Sequence, residues 1–231
     1  AYSFYPIQEG WHKKTPSEFD ALISYPKGEG PFPMVIIVHS SWGPEEFTSK
    51  WMKFHKNSHK KLLKMGIGTM FIDSYSSRGQ MASSAADQFT VPLWSMFMDQ
   101  FFALEYLSKD PKVNIKKVGI SGHSRGGMVS TLSSEKRLRD ALISKDLYFA
   151  AAQPRAPDCE NVSMFRNPQP IKETKTWMVL GGADDYTRAG PCVELGEKIK
   201  ANGGDIIIEV KKGWHHGFLG NYPAEISEDA Q

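Results

Sequence analysis

The chain alternates short, unbroken apolar runs with longer stretches in which apolar residues return every third or fourth position. The runs occupy residues 34–39, 67–73, 117–121, 147–153, 176–180 and 206–210. Apolar runs of this length predict strands covered on both faces, as in a parallel sheet. Residues 17–25 behave differently, because Phe19, Ala21, Ile23 and Tyr25 alternate with polar neighbours, the pattern of a half-exposed edge strand. Helical spacing appears over 47–65 (Phe47, Trp51, Phe54, Leu62, Met65), 92–107 and 191–201, with Gly66 and Asp110-Pro111 as stops for the first two. Residues 154–170 read as a long Pro/Asn-rich excursion. Strands alternating with helices predict a mostly parallel sheet with helices on both faces, a three-layer α/β/α sandwich. We read 1–231 as one such domain, with residues 1–16 wrapping its surface.

Composition narrows the function classes. The 28 Lys and Arg against 26 Asp and Glu leave a formal net charge of +2, too balanced for nucleic acid to be the main partner. No apolar run approaches the length of a membrane span. Six lysines on the 47–65 segment (Lys50, Lys53, Lys56, Lys60, Lys61, Lys64) read as a solvated helix face, and His55 and His59 as surface histidines despite their metal-compatible spacing. Two cysteines, Cys159 and Cys192, do not define a disulfide framework; they either pair in an exported protein or stay as thiols. That pairing, with the chain starting at Ala1, tilts the expected location towards the periplasm or outside the cell. The chain ends soon after Phe218, which leaves little room for the long final helix expected of such a fold. Monomer and homodimer both remain open.

The candidate chemistry centres on Gly122-His123-Ser124-Arg125-Gly126, which follows an apolar run and opens a helix-like segment. A serine on a tight strand-to-helix turn exposes its hydroxyl, and the helix start aims free N–H groups at the same place. A serine needs a base, and the base needs an orienting acid. In open parallel sheets both belong in loops beyond later strands. Asp184 and Asp185 follow the 176–180 run, and His215 and His216 follow 206–210, in the order serine, acid, histidine. His39 and His123 read as strand-end histidines that satisfy loop groups. A metal site built from the histidines lacks carboxylate or thiolate ligands at suitable spacing. Trp42, Trp94, Phe97 and Trp214 are candidates for an apolar acyl pocket and equally for core.

With these pieces in place, the sequence resembles the dienelactone hydrolase family of α/β-hydrolases. The likeness covers about residues 17–218 and rests on 33–43, 73–79, Asp99 with Ala103-Leu104, 122–127, 181–187 and His216-Gly217-Phe218. It implies the α/β-hydrolase fold and a triad of Ser124, Asp184 and His216, choosing these over Asp185 and His215. It further implies an oxyanion hole from the backbone N–H groups of Ser41 and Arg125, and Arg78 as a binder of substrate carboxylate. Arg125 itself is expected to fold its side chain back onto an internal acid. The family's own nucleophile is a cysteine governed by a glutamate, whereas here the positions hold Ser124 and Ser40. A second carboxylate-binding arginine has no counterpart near Gly220. The expected activity is therefore cleavage of a small-molecule ester or lactone through an acyl-enzyme, without metal or cofactor. A small serine peptidase, a thioesterase and a silent binding protein are the alternatives.

Overall fold

The computed structural model describes residues 2–4, 16–44, 52–81, 90–160 and 163–217. In chain order the elements are β1 (Tyr2–Phe4), β2 (Pro16–Glu18), β3 (Asp20–Ser24), β4 (Phe32–Val38), α1 (Met52–Lys64), β5 (Gly68–Asp73) and α2 (Leu93–Leu107). There follow β6 (Val113–His123), α3 (Arg125–Leu132), α4 (Lys136–Leu142), β7 (Ala151–Arg155), β8 (Lys175–Gly181), α5 (Ala189–Ala201) and β9 (Asp205–Lys211). Among the described residues seven strands form one sheet in the order β3-β5-β4-β6-β7-β8-β9, antiparallel only where β3 meets β5. The alternating segment is thus the edge strand its pattern predicts. β1 and β2 make a separate ribbon, and β1 lies against α2. Of the N-terminal segment expected to wrap the surface, residues 5–15 fall outside the described residues, as does the start of the expected 47–65 helix.

Register decides where the core sits. Met34, Ile36 and Val38 pair with Val118, Ile120 and Gly122, and Ile120 pairs with Ala152, so these side chains share one face. On that face they meet Met96, Phe97, Phe101 and Leu104 of α2, Val129 and Leu132 of α3, and Leu195 and Ile199 of α5 in one buried cluster. The close fit leaves little slack: a Cβ on Gly196 of α5 would stand 2.1 Å from the Ile208 side chain.

The other face is less covered among the described residues. Among the described residues α1 crosses it near β5, where His59 Nδ1 lies 2.8 Å from Thr69 Oγ1 and its ring packs on Phe71. His59 is therefore half-buried and hydrogen-bonded, which corrects its reading as a surface histidine; burial lowers its pKa. Beyond α1 this face carries a groove of about 660 Å³ lined by Val35, Ile37, Leu62, Trp177 and Ile207.

Two elements differ from expectation. Strand β7 runs from Ala151 to Arg155, later than the predicted 147–153, and passes through Pro154. Its end is held because the Arg155 carbonyl accepts the Ser124 N–H at 2.9 Å, a tertiary bond that local pattern cannot report. Helix α4 was not expected, since a charged seven-residue segment has almost no apolar stripe. Glu135 caps it, accepting from the Arg137 N–H at 3.3 Å and from the Gln169 N–H at 2.9 Å.

Candidate active site

Three loops at the C-terminal ends of the strands converge on one point. Strand β6 turns into α3 at Ser124, whose φ of 54° and ψ of −117° place a non-glycine residue in a disfavoured region. The turn closes only because its glycines lack side chains. A Cβ on Gly122 would be 2.3 Å from the Gly126 carbonyl oxygen, and one on Gly126 would be 2.5 Å from that of Val38.

The loops after β8 and β9 are stitched to each other. Ala183 N–H donates to the Trp214 carbonyl at 3.0 Å and Gly182 N–H to that of Lys211 at 2.8 Å. This brings Asp184 and His216 together although 32 positions separate them. His216 Nδ1 lies 2.9 Å from Asp184 Oδ2, and His216 Nε2 lies 2.9 Å from Ser124 Oγ. Asp185 and His215 take no part in this contact, and Asp185 is exposed.

Asp184 is 6% exposed and fully engaged. Its Oδ1 accepts the N–H groups of Tyr186 and Thr187 at 3.0 and 2.8 Å, and its Oδ2 accepts the Thr187 hydroxyl at 2.9 Å as well as facing His216. Burial pushes this carboxyl up, but bonds from His216 and Thr187 more than offset it and hold its pKa below the ordinary carboxylate value. The His216 ring is flanked on two sides, by His123 and by Tyr186, each with centroids 4.9 Å away.

Thr187, Tyr186 and this placement of His123 were not legible beforehand. A threonine three residues after an aspartate signals a local turn, but nothing local shows that it reaches a histidine in another loop. His123, expected to serve a loop group, also has its ring against His216.

Other candidates stand as follows. Ser41 lies in the loop leaving β4, the strand beside β6, and that loop is shaped by Trp42 N–H to Ser40 Oγ at 3.2 Å and Gly43 N–H to the Ser40 carbonyl at 3.2 Å. His39 anchors the same loop from below. Fully buried, it donates from Nδ1 to the Ser40 carbonyl at 2.7 Å and accepts the Ser74 N–H at Nε2, 3.2 Å, as the neutral ring; burial pushes its pKa down to about 4. It does satisfy loop groups, as expected. Arg125 N–H opens α3 beside Ser124. Its side chain is buried and reaches the Val91 carbonyl and the Met96 sulfur, and desolvation holds its pKa below the ordinary arginine value. Arg78 requires a larger correction. Its guanidinium grips both oxygens of Asp99 at 2.8 Å and the Ser74 carbonyl at 2.6 Å, with side chains only 4% and 0% exposed. An internal carboxylate occupies the fork that was expected to meet a substrate. Trp42 is 60% exposed and Trp94 41%, so neither is ordinary core, whereas Phe97 is core. Phe218 lies outside the described residues.

Cys159, in the loop after β7, and Cys192 of α5 form a disulfide with Cα atoms 5.1 Å apart. Among the described residues no group of three His, Cys, Asp or Glu side chains could hold a metal ion. No helix described is long and apolar enough to cross a membrane.

Comparison with known proteins agrees with the fold. The model of the dienelactone hydrolase family matches residues 19–231. The chain belongs to the dienelactone hydrolase family. As a member it is a hydrolase of the α/β-hydrolase superfamily, the fold its sheet displays. No curated protein matches it significantly. A dienelactone hydrolase-like protein from Klebsiella pneumoniae subsp. pneumoniae superposes with a TM-score of 0.68 at 15% identity, covering 99% of this chain and 92% of that one. A thermophilic esterase of the planctomycete Thermogutta terrifontis gives 0.63 at 14% identity, over 88% and 84% of the two chains. The tabun-phosphoramylated form of Thermogutta terrifontis esterase 2 gives 0.65 at 15% identity, over 92% and 85%. At such identities these likenesses establish the fold alone.

Proposed function

We propose that this hydrolase cleaves a small carboxylic ester or lactone through an acyl-enzyme on Ser124. The supporting observation is the unbroken line from Ser124 Oγ to His216 Nε2 and from His216 Nδ1 to Asp184 Oδ2, both steps 2.9 Å. A hydroxyl attacks a carbonyl only if its proton leaves as the new bond forms. His216 Nε2 takes that proton, and Asp184 keeps the other proton on Nδ1 and stabilises the resulting imidazolium. The carbonyl oxygen gains charge in the tetrahedral intermediate, where the N–H groups of Ser41 and Arg125 serve as donors. His216 returns its proton to the leaving alcohol, and water then reverses the sequence to free the acid.

Because Asp99 occupies Arg78, substrate need not carry a carboxylate anchor there, and the exposed Trp42 offers apolar surface beside the oxyanion loop. The disulfide suits an oxidising compartment, the periplasm or outside the cell. Reaction of the Thermogutta esterase with tabun shows the kind of probe to use. Intact-mass labelling with a fluorophosphonate is expected to add one adduct to the parent and none to Ser124→Ala. A folded parent that takes no adduct would leave a binding protein as the better reading, and an adduct surviving Ser124→Ala would move the nucleophile elsewhere.

A further inference from the structure

Thr187 holds Asp184 by both oxygens. Its N–H donates to Oδ1 at 2.8 Å, its hydroxyl lies 2.9 Å from Oδ2, and the same hydroxyl oxygen lies 2.9 Å from His216 Nδ1. Thr187 Oγ1, Asp184 Oδ2 and His216 Nδ1 thus form a triangle with sides of 2.9 Å. Two protons serve it, one on the hydroxyl and one on Nδ1. A hydroxyl turned away from Oδ2 would set two oxygens at contact distance with only lone pairs between them, so the hydroxyl proton belongs to the carboxylate. The Ala156 carbonyl, 3.2 Å away, is the second acceptor that limits its rotation. That carbonyl is itself held in an unusual place, since Ala156 has a φ of 42°. Thr187 is 7% exposed, so water does not readily substitute for it.

We propose that Thr187 is a positioning residue that stops the Asp184 carboxylate from rotating and draws off part of its charge, thereby setting the pH at which His216 is free to act as a base. This rests on the serine-hydrolase reading above. A carboxylate that accepts an extra hydrogen bond attracts the imidazolium less, so the neutral imidazole persists to lower pH. The other groups facing the ring among the described residues are His123 from the end of β6, Tyr186 from the Asp184 loop and the Ser124 hydroxyl; none donates to Oδ2.

The test is the pH profile of kcat/KM on a neutral aryl ester for the parent, Thr187→Val and Thr187→Ser. The valine variant keeps shape and the backbone N–H bond but has no hydroxyl. Its acid limb is expected to move to higher pH by about one unit, with kcat above the limb lowered roughly tenfold and KM little changed. Serine should restore both. If Thr187→Val does not fold, Thr187→Ala removes the same hydroxyl and must show the same displacement. An unmoved limb in a folded variant, even with a lower melting temperature, would make Thr187 merely structural and overturn the proposal. So would a serine variant that behaves like valine. Fluorophosphonate labelling of the same samples separates the failures: a labelled parent with unmoved variants sinks this proposal alone, whereas an unlabelled parent removes the triad reading and this inference with it.

Discussion

Two carboxylates of this protein each meet a basic side chain at nearly the same distance, yet they sit in regions built for opposite purposes. Asp99 and Arg78 join through two bonds of 2.8 Å, sealed at 0% and 4% exposure. Asp184 and His216 meet through one contact of 2.9 Å, with the histidine 24% exposed and its second nitrogen directed at Ser124. A guanidinium never gives up its charge in ordinary conditions, so the first pair is permanent and ties the 76–78 turn to α2. An imidazole gains and loses a proton near neutrality, so the second pair can strengthen and relax within a reaction. Distance alone does not separate the two pairs; a titratable partner whose second nitrogen meets a serine hydroxyl does, and on that difference the proposed catalysis rests.

The comparison can be broken hardest at the proposed catalytic pair and the serine it serves. Ser124→Ala or His216→Ala should lower kcat by about 10⁴- to 10⁶-fold, read from ester hydrolysis with melting temperatures near the parent's. Asp184→Asn should follow at about 10⁴-fold, because the amide favours the wrong tautomer of the ring. A loss below tenfold would mean that Asp184 is not the orienting acid. At the sealed pair the expected effect moves from rate to stability. Asp99→Ala takes the carboxylate away from a buried guanidinium and should destabilise by about 3–5 kcal/mol in urea unfolding, with the folded fraction keeping its rate within tenfold. A large rate loss in fully folded Asp99→Ala would return Arg78 to the substrate.

The smallest effect sharpens the comparison by pH. Buried His39 has its pKa pushed down to about 4, against about 6.5 for a free histidine. The unfolded chain therefore takes up a proton that the folded one refuses, and stability falls as pH drops from about 6.5 to 4, by on the order of 3 kcal/mol. Asp184, with its pKa lowered in the fold, acts further down: its contribution is present above the unfolded value and disappears as pH falls through the folded one. Melting curves of the parent and His39→Gln between pH 7 and 4 are expected to converge as pH falls, and parallel curves would assign the acid sensitivity to other groups.

The chain by itself determined most strands of the main sheet and the candidate residues in the loops beyond them. Unbroken apolar runs make central parallel strands because both faces are meant for cover, and the alternation at Ala21 and Ile23 marks the edge. The glycines around Ser124 announce a sharp turn, since no other residue fits backbone at 2.3 to 2.5 Å. The likeness to a known family was needed to separate Asp184 from Asp185 and His216 from His215, because spacing treats neighbours alike. Tertiary structure alone decided who meets whom. Arg78 finds Asp99 across 21 positions and Thr187 finds His216 across 29, and no local periodicity encodes either meeting. The end of β7 and the whole of α4 are likewise held by distant partners, the Ser124 N–H in one case and the Gln169 N–H in the other. Hydrophobic pattern acts along the chain and is written there, whereas a hydrogen bond between loops exists only once the sheet has brought their strands side by side.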